Sequence, residues 1–148
     1  MAELDRPDVI SFIELALDRM MAKATSLGHR VSDQPALRGS NSTFALVTHC
    51  VAVADWWFDH VVLGDPTDRD RNSEFTATGT VAELEELVEA FRGRLPDLVE
   101  RVLRTPAPIS TEMEHATAPS RSWPWTTGSI VLHVIEELFQ HAGHAPFA

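Results

Sequence analysis

Cysteine is nearly absent: the 148 residues hold one, Cys50. No intramolecular disulfide can form, and a cysteine-rich zinc site is excluded. Such a chain fits a reducing cytoplasm. Positive charge is also scarce. Twelve Lys and Arg stand against 22 Asp and Glu, a net charge of −10. That surface repels phosphate backbones and anionic lipids, so neither nucleic acid nor a membrane is an expected partner. No apolar run approaches the roughly 18 residues of a membrane span. The opening MAELDRPDVISF places acids where a secretory leader carries basic residues, so no export signal is expected. Internal repeats and low-complexity tracts are missing, and no alternating β-branched run is long enough to predict a sheet.

What is present is the composition of one globular domain spanning 1–148, with 44% hydrophobic and 23% charged residues. Apolar periodicity predicts four helices. The first runs from about Pro7 to Leu27, with Pro suited to its first turn and Gly28 as its stop. The second starts at Ser40, Asn41 or Ser42 and runs through TFALVTHCVAVADWWFDHVVL to Gly64. It is apolar nearly all round, with a narrow polar stripe of Asn41, Thr48, Asp55 and Asp59, which predicts burial on at least two sides. Asp65 to Thr78 reads as a charged surface loop holding at most a short turn. Thr80 and Glu83 form a capping-box pattern ahead of a third helix that contains Pro96, a kink or break point. From Thr105 to Trp125 there is no sustained period, and Pro106, Pro108, Pro119 and Pro124 interrupt it. That segment is expected to be a long crossover, with a short hairpin near Ile109 to Glu114 as an alternative. The last helix runs from Thr126 to about Ala142, with Gly143 and Pro146 ending it. The expected fold class is all-α, a four-helix bundle with a long crossover loop before the last helix.

Three of the seven histidines fall in that last stretch. His133, Glu137 and His141 are spaced i, i+4, i+8, and His144 follows three later. At about 100° per residue they share an arc of about 80°. Ile130 and Val134 border it on the apolar side, Glu136 and Gln140 on the solvent side. Imidazole and carboxylate one turn apart can converge on a divalent cation. A third donor has to come from another helix, and the second helix offers His49 in a segment expected to be buried. Three protein donors with an open position is the pattern of a catalytic metal site. Spacing alone does not pair His49 with the last helix.

THCVAVADWWFDHVVLG followed by LHVIEELFQHAGH resembles the DinB-like superfamily. It is closest to the branch holding the metal-binding domain of mycothiol-dependent maleylpyruvate isomerase and its small stand-alone relatives. The likeness covers most of the chain. It implies one divalent metal, zinc or nickel, held by His49, Glu137 and His141. It also implies a low-molecular-weight thiol such as mycothiol as co-substrate, with a thiol or water on the metal as nucleophile. The isomerase carries a further C-terminal domain, so the expected activity is thiol-dependent S-transfer or isomerisation of a small electrophile rather than the isomerase reaction itself.

Other residues are weighed beside these. His133 and His144 are read as partners of the ligands or pocket residues, with a helix-dipole role as the plainer alternative for His144. Trp56 and Trp57 are read as core, Trp56 also as a pocket wall. Trp123 and Trp125 pack under the crossover or form a lid. Cys50 points about 100° away from His49 and reads as a buried hydrophobe. His29, His60 and His115 join no constellation. A homodimer is expected from the apolar second helix. Two other classes stay open: a non-catalytic metal-binding stress module, and a structural helical dimer.

Overall fold

The computed structural model describes residues 3–106 and 126–145. All regular structure among them is helical. The crossover expected after Thr105, its alternative hairpin, His115, Trp123 and Trp125 lie outside the described residues.

Helix α1 spans Arg6–Leu27. Asp5 caps it by accepting from the Asp8 amide at 3.0 Å, and Gly28, at φ 57°, ends it. Helix α2 spans Thr43–Asp55, capped by the Ser42 hydroxyl on the Ala45 amide. It does not stay α-helical to its end. Trp56–Val62 is wound as a π-helix, with the Leu63 amide donating five residues back to Phe58 at 3.1 Å. Gly64 then turns the chain away at φ 77°. A short α3, Arg71–Phe75, follows under an Asp70 cap.

Helix α4 spans Val81–Arg104, and the Thr80–Glu83 capping box is formed in both directions. It runs unbroken through Pro96, so of the kink or break expected there the break does not occur: Leu95, Leu98 and Val99 around the proline are all buried and hold the helix against the core. Helix α5 spans Thr127–His144 and opens with a capping box between Thr126 and Ser129. It continues through Gly143, beyond the expected stop, so His144 sits in its last turn.

The four long helices pack pairwise around one interior. Ile13, Leu17 and Met20 from α1 meet Phe91 and Leu95 from α4 and Ile130 and Leu138 from α5 in a fully buried set. Val47, Cys50 and Phe58 enter from the α2 side. Non-directional burial of this kind supplies the main driving force. Polar ties then fix the pairing. Arg92 on α4 reaches Glu14 and Asp18 on α1, and Arg94 reaches Asp55 at 3.0 Å on the second helix. The stripe read on α2 thus faces α4 at Asp55 rather than open water.

Candidate metal centre

His49 lies mid-α2, where the helix is buried on several sides, and is 3% exposed. Glu137 and His141 sit one turn apart on α5. Because α2 packs on α5, the three side chains converge: one donor atom from each lies within 4.8 Å of the other two. The imidazoles of His49 and His141 meet edge to face with centroids 4.8 Å apart. Glu137 Oε2 stands 3.7 Å from His141 Nε2, and Oε1 stands 3.9 Å from His133 Nε2. The His141 imidazole holds the Glu137 carboxyl below its ordinary value, against burial that pushes it up.

The donor set suits a cation. Two imidazoles and one carboxylate are the borderline ligands that zinc and nickel accept. His141 Nδ1 is buried and has no hydrogen-bond partner among the described residues. A buried nitrogen left that way costs free energy unless something binds it.

The charge run is solvated as expected at Asp65, Asp68, Asp70 and Arg71, all exposed, but Arg69 within it turns inward. Glu74 on α3 is 5% exposed and accepts from His49 Nδ1 at 2.6 Å. Arg69 grips the same carboxylate through Nε at 2.6 Å and Nη2 at 3.0 Å. The Arg69 guanidinium also lies 5.8 Å from the Trp56 ring. Phe75 stacks on His49 at 4.5 Å. Burial alone would raise the Glu74 pKa, but the hydrogen bonds from Arg69 and His49 outweigh it and hold the group ionised. Burial likewise lowers the pKa of His49, so its imidazole is neutral with Nδ1–H toward Glu74. That leaves Nε2 as the nitrogen His49 can offer to a cation. A carboxylate behind a ligating imidazole fixes its tautomer and raises its basicity. Sequence reading missed Glu74, Arg69 and Phe75. The only trace was Phe75 closing a polar run behind an Asp70 cap.

A family model described as mycothiol-S-transferase matches residues 8–147. The chain belongs to that family. Its DinB-like character agrees with the resemblance carried by the second and last helices. No curated protein and no solved structure matched the chain.

In this mycothiol-S-transferase family member, two cavities meet the His49–Glu137–His141 cluster. The larger, about 600 Å³, is lined by His49 and Glu137 together with Trp56, Trp57, Arg71 and His133. Its aromatic wall comes from the π-helical turn, where Trp57 is buried and packs edge-on to His133 at 5.1 Å. The smaller, about 470 Å³, is lined by His141 and His144 with Leu37, Asn41, Leu46 and Phe75. His144 is 5.9 Å from His141, ring to ring. Cys50 is fully buried, and burial pushes its thiol up, so it is no nucleophile. His60 also lines the larger cavity, with Nδ1 on the Asp65 carbonyl at 2.7 Å. His29 is exposed on a turn after α1. Among the described residues, no helix is long and apolar enough to cross a membrane.

Proposed function

We propose that this protein is a metal-dependent mycothiol S-transferase, a single-domain DinB-like four-helix bundle with His49, Glu137 and His141 as its ligands. The observation that carries the reading is the convergence of those three donors, beside two cavities, in a chain matched by the mycothiol-S-transferase family model. The cation is zinc or nickel, on the chemistry of two imidazoles and a carboxylate. When bound, it supplies Lewis acidity that makes a coordinated thiol acidic at neutral pH.

The chain's own residues do the rest. Glu74 keeps the proton on His49 Nδ1 and thereby presents Nε2. Arg69 keeps Glu74 charged. Trp56 and Trp57 wall the larger cavity and narrow water's access. Sulfur transfer forms a carbon–sulfur bond as the leaving group departs with its electron pair, and the thiol proton passes to solvent. The setting is the cytoplasm, where thiols stay reduced. A homodimer is supported by exposed Leu4, Phe12, Leu15 and Leu132, which lie on or beside α1 and on α5.

The test is elemental analysis of untagged protein together with thiol consumption against a panel of electrophiles. One metal per chain is expected, and His49→Ala should lose both metal and turnover. Equal turnover by wild type and His49→Ala would leave a metal-binding module without catalysis. Protein purified essentially metal-free that also takes up none on titration would remove the reading.

A further inference from the structure

The three residues of the cluster are divided between two cavities. His49 and Glu137 line the larger cavity, while His141 lines the smaller one. Their donor atoms are within 4.8 Å of one another, so the two cavities border one cluster of donors. The linings differ in chemistry. The larger offers Thr67, Arg69, Arg71, His60 and His133 as polar partners beside two indoles. The smaller has Leu37, Leu46 and Phe75 as its apolar lining, with Ser40, Asn41 and His144 as polar groups besides His141. Leu37 is 62% exposed there, an apolar side chain left at a cavity rim.

We infer that the smaller cavity is a separate subsite for an apolar electrophile, while the thiol enters by the larger one. The inference rests on the S-transferase reading. A thiol carrying sugar hydroxyls would strand them against Leu37, Leu46 and Phe75, at the cost of unmade hydrogen bonds. In the larger cavity those hydroxyls meet side-chain donors and acceptors. An aryl or alkyl electrophile has the opposite needs: apolar walls and no demand for partners. Placing the two reactants in separate cavities brings sulfur and carbon together from different sides, which converts their meeting into a positioned event.

The probe pair is mycothiol and 1-chloro-2,4-dinitrobenzene. Sulfur bonds to the ring carbon, the carbon–chlorine bond breaks, chloride leaves with the electron pair and the thiol proton goes to solvent. Asn41→Trp fills the smaller cavity and should raise KM for the aryl chloride about tenfold, leaving KM for mycothiol unchanged. Thr67→Trp fills the larger cavity and should do the reverse. Leu37→Asp alters only an exposed rim side chain, so it tests the apolar requirement without risk to folding, and should raise the aryl chloride KM alone. Calorimetry of the aryl chloride with metal-loaded protein and no thiol reads the subsite without turnover: wild type binds and Asn41→Trp does not. Asn41→Trp raising KM for mycothiol, or binding the aryl chloride as wild type does, overturns the inference. Failure of the S-transferase reading looks different: no turnover by wild type, with the calorimetric difference intact.

Discussion

Replacing Glu74 with glutamine tests the support behind the site. The carboxylate takes three hydrogen bonds, from His49 Nδ1 at 2.6 Å and from Arg69 at 2.6 and 3.0 Å. Glutamine keeps the shape but loses the charge. It also offers one accepting oxygen where two were used, and its amide hydrogens face donors. At least one charge-assisted bond is therefore lost, and each such bond contributes about 1.5–3 kcal/mol. Taking about 2 kcal/mol, the metal-free protein should melt about 4–8 °C lower. The effect on metal is separate. Losing the carboxylate behind a ligating histidine weakens affinity about 10–100-fold. Calorimetric melting of chelator-treated protein gives the first figure, and competition against a chromophoric zinc chelator gives the second. Arg69→Lys should fall between wild type and Glu74→Gln, because an ammonium keeps the charge but not the two-pronged grip. Unchanged zinc affinity in a Glu74→Gln protein that melts lower would refute the reasoning, leaving Glu74 a packing residue only.

Acid should weaken the site of the metal-free protein in two stages. Burial sets the His49 pKa below 6.5, so the stability of its neutral form is whole above that pH and is lost as pH falls. Glu74 and Glu137 lie below the ordinary 4.5, so their contribution is whole above it and is lost as pH falls through their lowered values. Burial raises Asp55 and Asp59, which act in the opposite sense, so the reading is the melting-temperature gap between wild type and Glu74→Gln, which should shrink as pH falls; a gap that does not shrink contradicts this. Cys50 should resist iodoacetamide in the native protein and react once the chain is unfolded, read by intact mass. Phe91→Ala empties a fully buried position between α4 and its neighbours and should cost about 3–5 kcal/mol in urea unfolding.

The helices were legible because their signals are local. Asp5, Ser42 and Thr80 cap where capping chemistry puts them, and Ile130, Val134 and Leu138 line the buried face that their spacing predicts. The candidate donor trio was half legible. Glu137 and His141 follow from one helix's periodicity, whereas His49 joined them only through family resemblance, since partnering between distant helices is a tertiary fact. The Arg69–Glu74–His49 chain was illegible for a physical reason. A buried carboxylate satisfied by arginine has the same local composition as a solvated charge run, and only packing distinguishes them. The π-helical winding of Trp56–Val62 was equally hidden, because its sequence is as apolar as the α-helix before it.

That widened coil carries a consequence for how the protein can diversify. A π-helical segment holds more residues per turn than an α-helix, so deleting one residue between Trp56 and Val62 restores ordinary winding without cutting the helix. Everything up to Asp55, His49 included, keeps its place, while the residues after the deletion take new bearings. One residue lost there would re-aim the far part of the larger cavity's wall and leave the His49, Glu137 and His141 cluster where it is.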